Sequence, residues 1–169
     1  MNGVMPVVYV TTTLLHETAR LLVSFAEVED GEGVVYWFGL QLGDQAIVTT
    51  LVVPNADTTG GRVSTSASSN AEALGAIVGT PLVLIGQAHS HPFEYVGHSS
   101  VDDRDTFAQF PGAISVVVPF LGREGIDLPT CGVHRHIDGK FRRIRSSQTH
   151  KHIRVLPGLA DFRAVRQHV

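Results

Sequence analysis

The 169-residue sequence predicts a single α/β domain, a mixed β-sheet with helices packed on it. Three features carry that expectation. The N-terminal third runs strand, helix, strand, strand by hydrophobic period. The apolar run Leu82 to Ala88 has the length and branched residues of a buried strand. Gly43-Asp44 and Asp138-Gly139 each sit between two strand-like runs, the mark of a hairpin turn.

Residues 7–10 read as a first strand. A helix is expected from about 14 to 26, with Leu14, Leu15, Leu22 and Phe25 on one face. Glu27, Glu29 and Asp30 form the acidic end of that helix and its turn. Strands near 33–42 and 45–53 make a hairpin. The stretch 54–68, rich in Thr, Ser and Gly around Gly60-Gly61, reads as a surface lip or linker. Ser69-Asn70-Ala71-Glu72 has the form of a capping box, opening a helix closed by Gly79 and Pro81. The strand at 82–88 comes next, and Pro92 ends its pairing. Ser99 and Ser100 precede a short helix with Asp102 and Asp103 in its first turn. Residues 113–118 form another buried strand, and a hairpin spans about 131–145. Residues 1–147 are thus expected as the domain. Residues 148–169 are expected as a basic tail or short helix, Leu159, Phe162 and Val165 marking the helix after Pro157-Gly158.

Composition is that of an ordinary globular protein, 43% hydrophobic and 17% charged. A single cysteine, Cys131, excludes an internal disulfide and fits a reducing compartment. No basic segment leads into an apolar N-terminal stretch, and no apolar run is long enough for a bilayer. A cytoplasmic location, away from membranes, is the expectation. Charge is uneven: residues 1–139 hold 5 Lys or Arg against 15 Asp or Glu, and residues 140–169 hold 8 against 1. The basic end could meet an acidic partner, nucleic acid or the acidic body of the chain itself.

The segment His89-Ser90-His91-Pro92-Phe93-Glu94-Tyr95-Val96-Gly97-His98-Ser99-Ser100-Val101-Asp102 carries the chemistry. On a strand, His89 and His91 point to one face while Ser90 points away. Asp102, at a helix N-terminus, faces the end of that strand. Two imidazoles and one carboxylate are the donor set of a catalytic zinc, which keeps its fourth position for water; a structural zinc takes four side chains. Taken singly, Ser99 and Asp102 read first as a helix cap and capping box; the joint pattern is what points to a metal. His134-Arg135-His136 and His150-Lys151-His152 lack the downstream serine and aspartate and are read as non-ligands. A general base for the water is sought among Glu17, Glu27, Glu29, Asp30 and Glu32. Glu32 opens the second strand, where a carboxylate can lean into a cleft of strand ends.

His89-x-His91, seven residues, Ser99, two residues and Asp102 resemble the metal motif of the JAMM (MPN-type) metalloproteases, the JAB domain. Glu32, seven residues before Gly39, resembles the family's upstream glutamate, although Val34-Val35 stand where many members have a small residue and glycine. The resemblance covers about residues 7–145. It implies an MPN (JAB)-type single domain, a mixed curved β-sheet flanked by helices. It implies one catalytic zinc held by His89, His91 and Asp102, with Glu32 as general base and Ser99 stabilising the oxyanion. His98 stands where the family is often apolar. The implied activity is that of an isopeptidase or peptidase cleaving after the C-terminal tail of a ubiquitin-like protein. The core is short of insertions and resembles stand-alone bacterial members tied to ubiquitin-like systems, antiviral ones included. The implied partners are a ubiquitin-like protein and its conjugates, with E1-like and E2-like enzymes of the same pathway. Two other readings stand beside it: a peptidase trimming sulfur-carrier precursors, and a JAB-fold protein binding nucleic acid through its basic tail.

Overall fold

In the computed structural model, which describes residues 6–158, β1 (Val7–Thr11) leads directly into α1 (Thr12–Val28). Thr11 caps the helix, its Oγ1 accepting the Leu14 N–H at 3.2 Å, one of the donors a helix start leaves open. Leu15, Ala19, Leu22 and Ala26 recur at helical spacing and are buried against the sheet. Thr18 lies among them. Its hydroxyl donates to the Leu14 carbonyl at 2.7 Å and accepts the Trp37 Nε1–H at 3.2 Å. The indole donor of a fully buried tryptophan is thereby satisfied, and α1 is pinned to the sheet.

The expected hairpin is present as β2 (Val34–Leu42) and β3 (Gln45–Val52), joined at Gly43-Asp44. The stretch expected as a lip or linker instead folds as a second hairpin, β4 (Asp57–Thr59) and β5 (Arg62–Ser64), turning at Gly60-Gly61. Helix α2 (Ala67–Gly75) begins before the predicted capping box and ends before Gly79. Ser66 is the cap, its Oγ accepting the Ser69 N–H at 3.1 Å, while the Ser69 hydroxyl donates to the Asn55 carbonyl. Tertiary contact with residue 55 thus takes the serine that sequence spacing had assigned to the cap.

β6 (Val83–Ser90), α3 (Ser100–Asp105), β7 (Ile114–Val118) and the hairpin of β8 (Gly132–Ile137) and β9 (Lys140–Arg143) come next, as expected. The segment expected as a basic tail does not stay outside the sheet. After a 3-10 turn at Ser146–Lys151 it forms β10 (Ile153–Leu156), which pairs parallel with β1 and buries Ile153 beside Val8 and Val10. The helix expected around Leu159, Phe162 and Val165 lies outside the described residues. Among the described residues, no helix is long and apolar enough to cross a membrane.

The main sheet has the order β10-β1-β3-β2-β6-β7-β8-β9. It is mixed: β1 runs parallel to β3 and β10, and β6 to β7, while the other neighbours are antiparallel. β2 is buried on both faces. Val35 and Trp37 join the core under α1, with Leu22, Val48, Ile114 and Val116. Val34, Tyr36 and Phe38 point the other way, toward Ala73 of α2 and Phe107.

A single irregularity in β6 decides which way its histidine points. Phe38 pairs with Leu84 but Trp37 pairs with Gly86, so Ile85 is an extra residue, a β-bulge in β6. Ile85 joins the core under α1. Beyond the bulge the alternation is reversed, and Gln87 and His89 face the same side as Tyr36 and Val34, their register partners. Without that insertion the odd-numbered residues of β6 would point into the α1 core.

Candidate metal centre

His89 ends up nearly enclosed, 2% exposed, on the face opposite α1. His91 lies just past β6, where its backbone N–H still donates to the Val118 carbonyl at 2.8 Å. The chain then loops through Pro92 and returns as α3. Ser99 caps that helix with a reciprocal box: its Oγ accepts the Asp102 N–H at 3.1 Å, and its own N–H donates to Asp102 Oδ2 at 2.6 Å. The cap and the metal reading of Ser99 and Asp102 are therefore compatible. The box orients the Asp102 carboxylate toward the histidines.

His89 Nε2 lies 3.7 Å from Asp102 Oδ1, and His91 Nε2 lies 3.4 Å from Asp102 Oδ2. One donor atom from each of the three residues lies within 4.8 Å of the others. Donors around a tetrahedral ion with arms of ~2.0 Å stand roughly 3.3 Å apart, so the cluster is spaced for a shared cation. Two further observations test the fit. Both ring nitrogens of His89 are buried with no hydrogen-bond partner among the described residues, a costly state that a metal at Nε2 would relieve. His91 Nδ1 lies 2.8 Å from the Tyr95 carbonyl. A carbonyl can only accept, so Nδ1 carries the proton and Nε2 presents its lone pair to the cluster. The residues present fit a divalent ion with an open position; the donor set alone does not select zinc over other metals.

Electrostatics agree. Burial pushes the His89 imidazole down to about 3, keeping it in the neutral, ligating form. Burial alone would raise the Asp102 carboxyl, but His91, His89 and the Ser99 N–H together hold it well below the usual range. Burial would lower His91, yet Asp102, the Tyr95 carbonyl and Glu32 outweigh it and raise that ring. The surroundings favour positive charge at this point.

Glu32 is buried, two residues ahead of β2. Its backbone is clamped by the second hairpin: its N–H donates to the Thr59 carbonyl at 3.2 Å, and Thr58 Oγ1 donates to its carbonyl at 2.5 Å. The flanking glycines explain how it fits. A β-carbon on Gly31 would collide with Thr58 and Thr59, and one on Gly33 with the Phe25 ring. The Gly33 N–H donates to Ser90 Oγ at 2.9 Å, tying Glu32 to the histidine strand. Burial lifts the Glu32 carboxyl to about 7, His91 opposing and Asp102 adding to the rise. Glu32, His91, Ser99 and Asp102 line one cleft with Phe93 and Tyr95 at its mouth. A carboxylate poised near neutrality in such a cleft suits proton transfer. Glu27, Glu29 and Asp30 are exposed, and Glu17 is half-buried and pairs with Arg20 on α1.

The other histidine pairs take no part in the cluster. His150 is exposed on the 3-10 turn. His134 is buried on β8 with its Nδ1 donating to the Gly132 carbonyl at 3.1 Å. Sequence reasoning missed the clamp on Glu32 and the Tyr95 carbonyl behind His91. Glycines on both sides of Glu32 were the available signal for the first.

No protein-family model matches the chain, and no curated protein sequence matches it. Solved structures do. The solution structure of a protein from Desulfitobacterium hafniense is similar at TM-score 0.66 and 16% identity, covering 90% of this chain and 94% of that one. The solution structure of a protein from Salinibacter ruber is similar at TM-score 0.52 and 21% identity, covering 80% and 88%. At these identities the likeness is one of fold: an α/β chain built on a mixed sheet, along nearly the whole length of both neighbours.

Proposed function

We propose that this chain is a zinc-dependent isopeptidase or peptidase of MPN (JAB) type, cleaving after the C-terminal tail of a ubiquitin-like protein. The observation that carries the reading is the cluster of His89, His91 and Asp102, two of whose members, His91 and Asp102, share a cleft with the buried Glu32. His89, His91 and Asp102 would hold the ion. When bound, zinc supplies Lewis acidity toward the scissile carbonyl and a water acidified toward neutrality. Glu32 takes the proton of the attacking water and delivers it to the leaving amine. The Ser99 oxygen accepts from the Asp102 N–H, so its hydroxyl hydrogen remains free to donate to the developing oxyanion. Phe93 and Tyr95 are exposed at the cleft mouth and offer an apolar rim to an extended tail. Deconjugation and precursor maturation use the same chemistry, with the E1-like and E2-like enzymes of such a pathway as functional partners in the cytoplasm.

The test is cleavage of a ubiquitin-like protein carrying a C-terminal extension. Scission at the end of the tail, lost with a chelator and restored by zinc, is the expected result; unfolded casein should stay intact. Chelator-resistant cleavage, or none with any ubiquitin-like fusion, would overturn the reading.

A further inference from the structure

The least expected residue in the motif is His98. It immediately precedes the cap of α3, and its side chain is only 4% exposed. Its two ring nitrogens are both engaged. Nδ1 lies 2.9 Å from Asp103 Oδ1, and Nε2 lies 2.9 Å from Ser115 Oγ. Asp103 is the neighbour of Asp102 on α3, whereas Ser115 is fully buried on β7. The ring packs between the His134 ring, at 4.1 Å between centroids, and the His89 ring, at 5.5 Å; Phe141 lies at 4.8 Å.

α3 has only six residues and none of them is buried. A helix this short has little stability of its own. It carries no apolar face to hold it on the sheet, yet its first turn must present Asp102 to within a few ångströms of two buried imidazoles. The capping box fixes Asp102 relative to Ser99, but it is internal to the turn and cannot fix the turn relative to β6. Apart from the approach of Asp102 to His89 and His91 itself, the polar contact that joins that first turn to the sheet, among the described residues, is the His98 bridge; Arg62 bonds Asp105 at 2.9 Å, at the far end of the helix and from the β4–β5 hairpin.

We infer that His98 is a positioning residue for the metal centre: a polar strap from Asp103 to Ser115 that holds the first turn of α3 so that Asp102 meets His89 and His91. The Asp103 carboxylate accepts the Nδ1 proton, and Nε2 then accepts the Ser115 hydroxyl. The role rests on the metal reading above. It makes His98 an outer support of Asp102, a function that outer-shell partners of metal ligands perform at a typical worth of ~10–100-fold in affinity.

The test compares zinc titration of metal-stripped wild type and His98→Phe. Phenylalanine keeps a ring in the slot between His134 and Phe141 and removes both polar bonds. Zinc affinity is expected to fall by about 10–100-fold, and the absorption spectrum of the cobalt-loaded variant to shift as Asp102 moves. Metal-free amide exchange is expected to accelerate over residues 99–105 while β6 stays protected. Asp103→Leu, at the half-exposed end of the strap, carries the same expectations should the buried substitution prevent folding. Asp103→Asn keeps an acceptor and is expected to recover most of the affinity. Equal zinc affinity and equal exchange in wild type and in Asp103→Leu would overturn the strap alone. A wild-type chain that takes up no zinc would overturn the metal centre itself, and this role with it.

Discussion

His89-x-His91 and His134-x-His136 have the same spacing and lie toward the same face of the same sheet. Gln87 is in register with Ser115, and Ser115 with His134. Their fates differ because of what the chain does next. After β6 it turns at Pro92 and returns as a helix, bringing Asp102 against the rings. After β8 it turns at Asp138-Gly139 and returns as β9, placing Phe141 opposite His136 and Arg143 opposite His134. A returning carboxylate completes the proposed cation site. A returning arene and guanidinium make a packed, cation-repelling wall. The spacing of two histidines decides only that they share a face; the third group decides whether a metal donor set is complete.

The largest test of that contrast is metal content. Asp102→Ala and His89→Ala should lose zinc altogether, whereas His134→Gln should still bind one ion per chain at saturating zinc, all read by elemental analysis. Zinc retained by both ligand variants would erase the distinction between the two pairs.

Glu32→Gln sharpens the comparison between holding the metal and using it. It should keep fold and zinc while turnover falls by roughly a hundredfold or more, the scale of a general base. Unchanged turnover in a zinc-loaded variant would return Glu32 to a merely structural place.

The smallest effect lies in the second pair. Burial, aided by His98, pushes His134 down from its ordinary 6.5 to about 3. The unfolded chain therefore binds a proton there that the folded chain refuses. The resulting stability is present above about pH 6.5 and is lost as pH falls toward 3. Denaturant midpoints of His134→Gln should fall less steeply with acid over that window, by up to about 1.4 kcal/mol per pH unit. An identical slope would mean that His134 is protonated in the folded protein.

How far the sequence foretold the molecule depends on distance along the chain. His89, His91, Ser99 and Asp102 sit in one strand-loop-helix unit, and strand alternation plus a helix cap suffice to bring them together. Glu32 was legible as a carboxylate at a strand start, but its burial depends on Thr58 and Thr59 from a hairpin read as a loop. Gly60-Gly61 between short Thr- and Ser-containing runs was a usable hairpin signal there. The start of α2 was misplaced because Ser66 and Ser69 are equally good caps locally, and only Asn55 separates them. β10 was hidden by the charge of its neighbourhood, although Ile153, Val155 and Leu156 are strand formers. The Ser115 partner of His98 is a cross-strand fact that no local pattern carries.

The parallel pairing of β10 with β1 has a consequence for synthesis. Val8 to Thr11 meet Ile153 to Leu156, so the first strand made waits for almost the last one described. The residues proposed for the metal centre, 32 to 102, and the Ser115 that supports them all leave the ribosome before that edge can close. Until then β1 presents an unpaired, aggregation-prone edge. The nascent protein can thus assemble the proposed metal centre well before it seals its sheet, and a chain cut short ahead of residue 153 would carry the proposed ligands yet leave its N-terminal strand open to another chain.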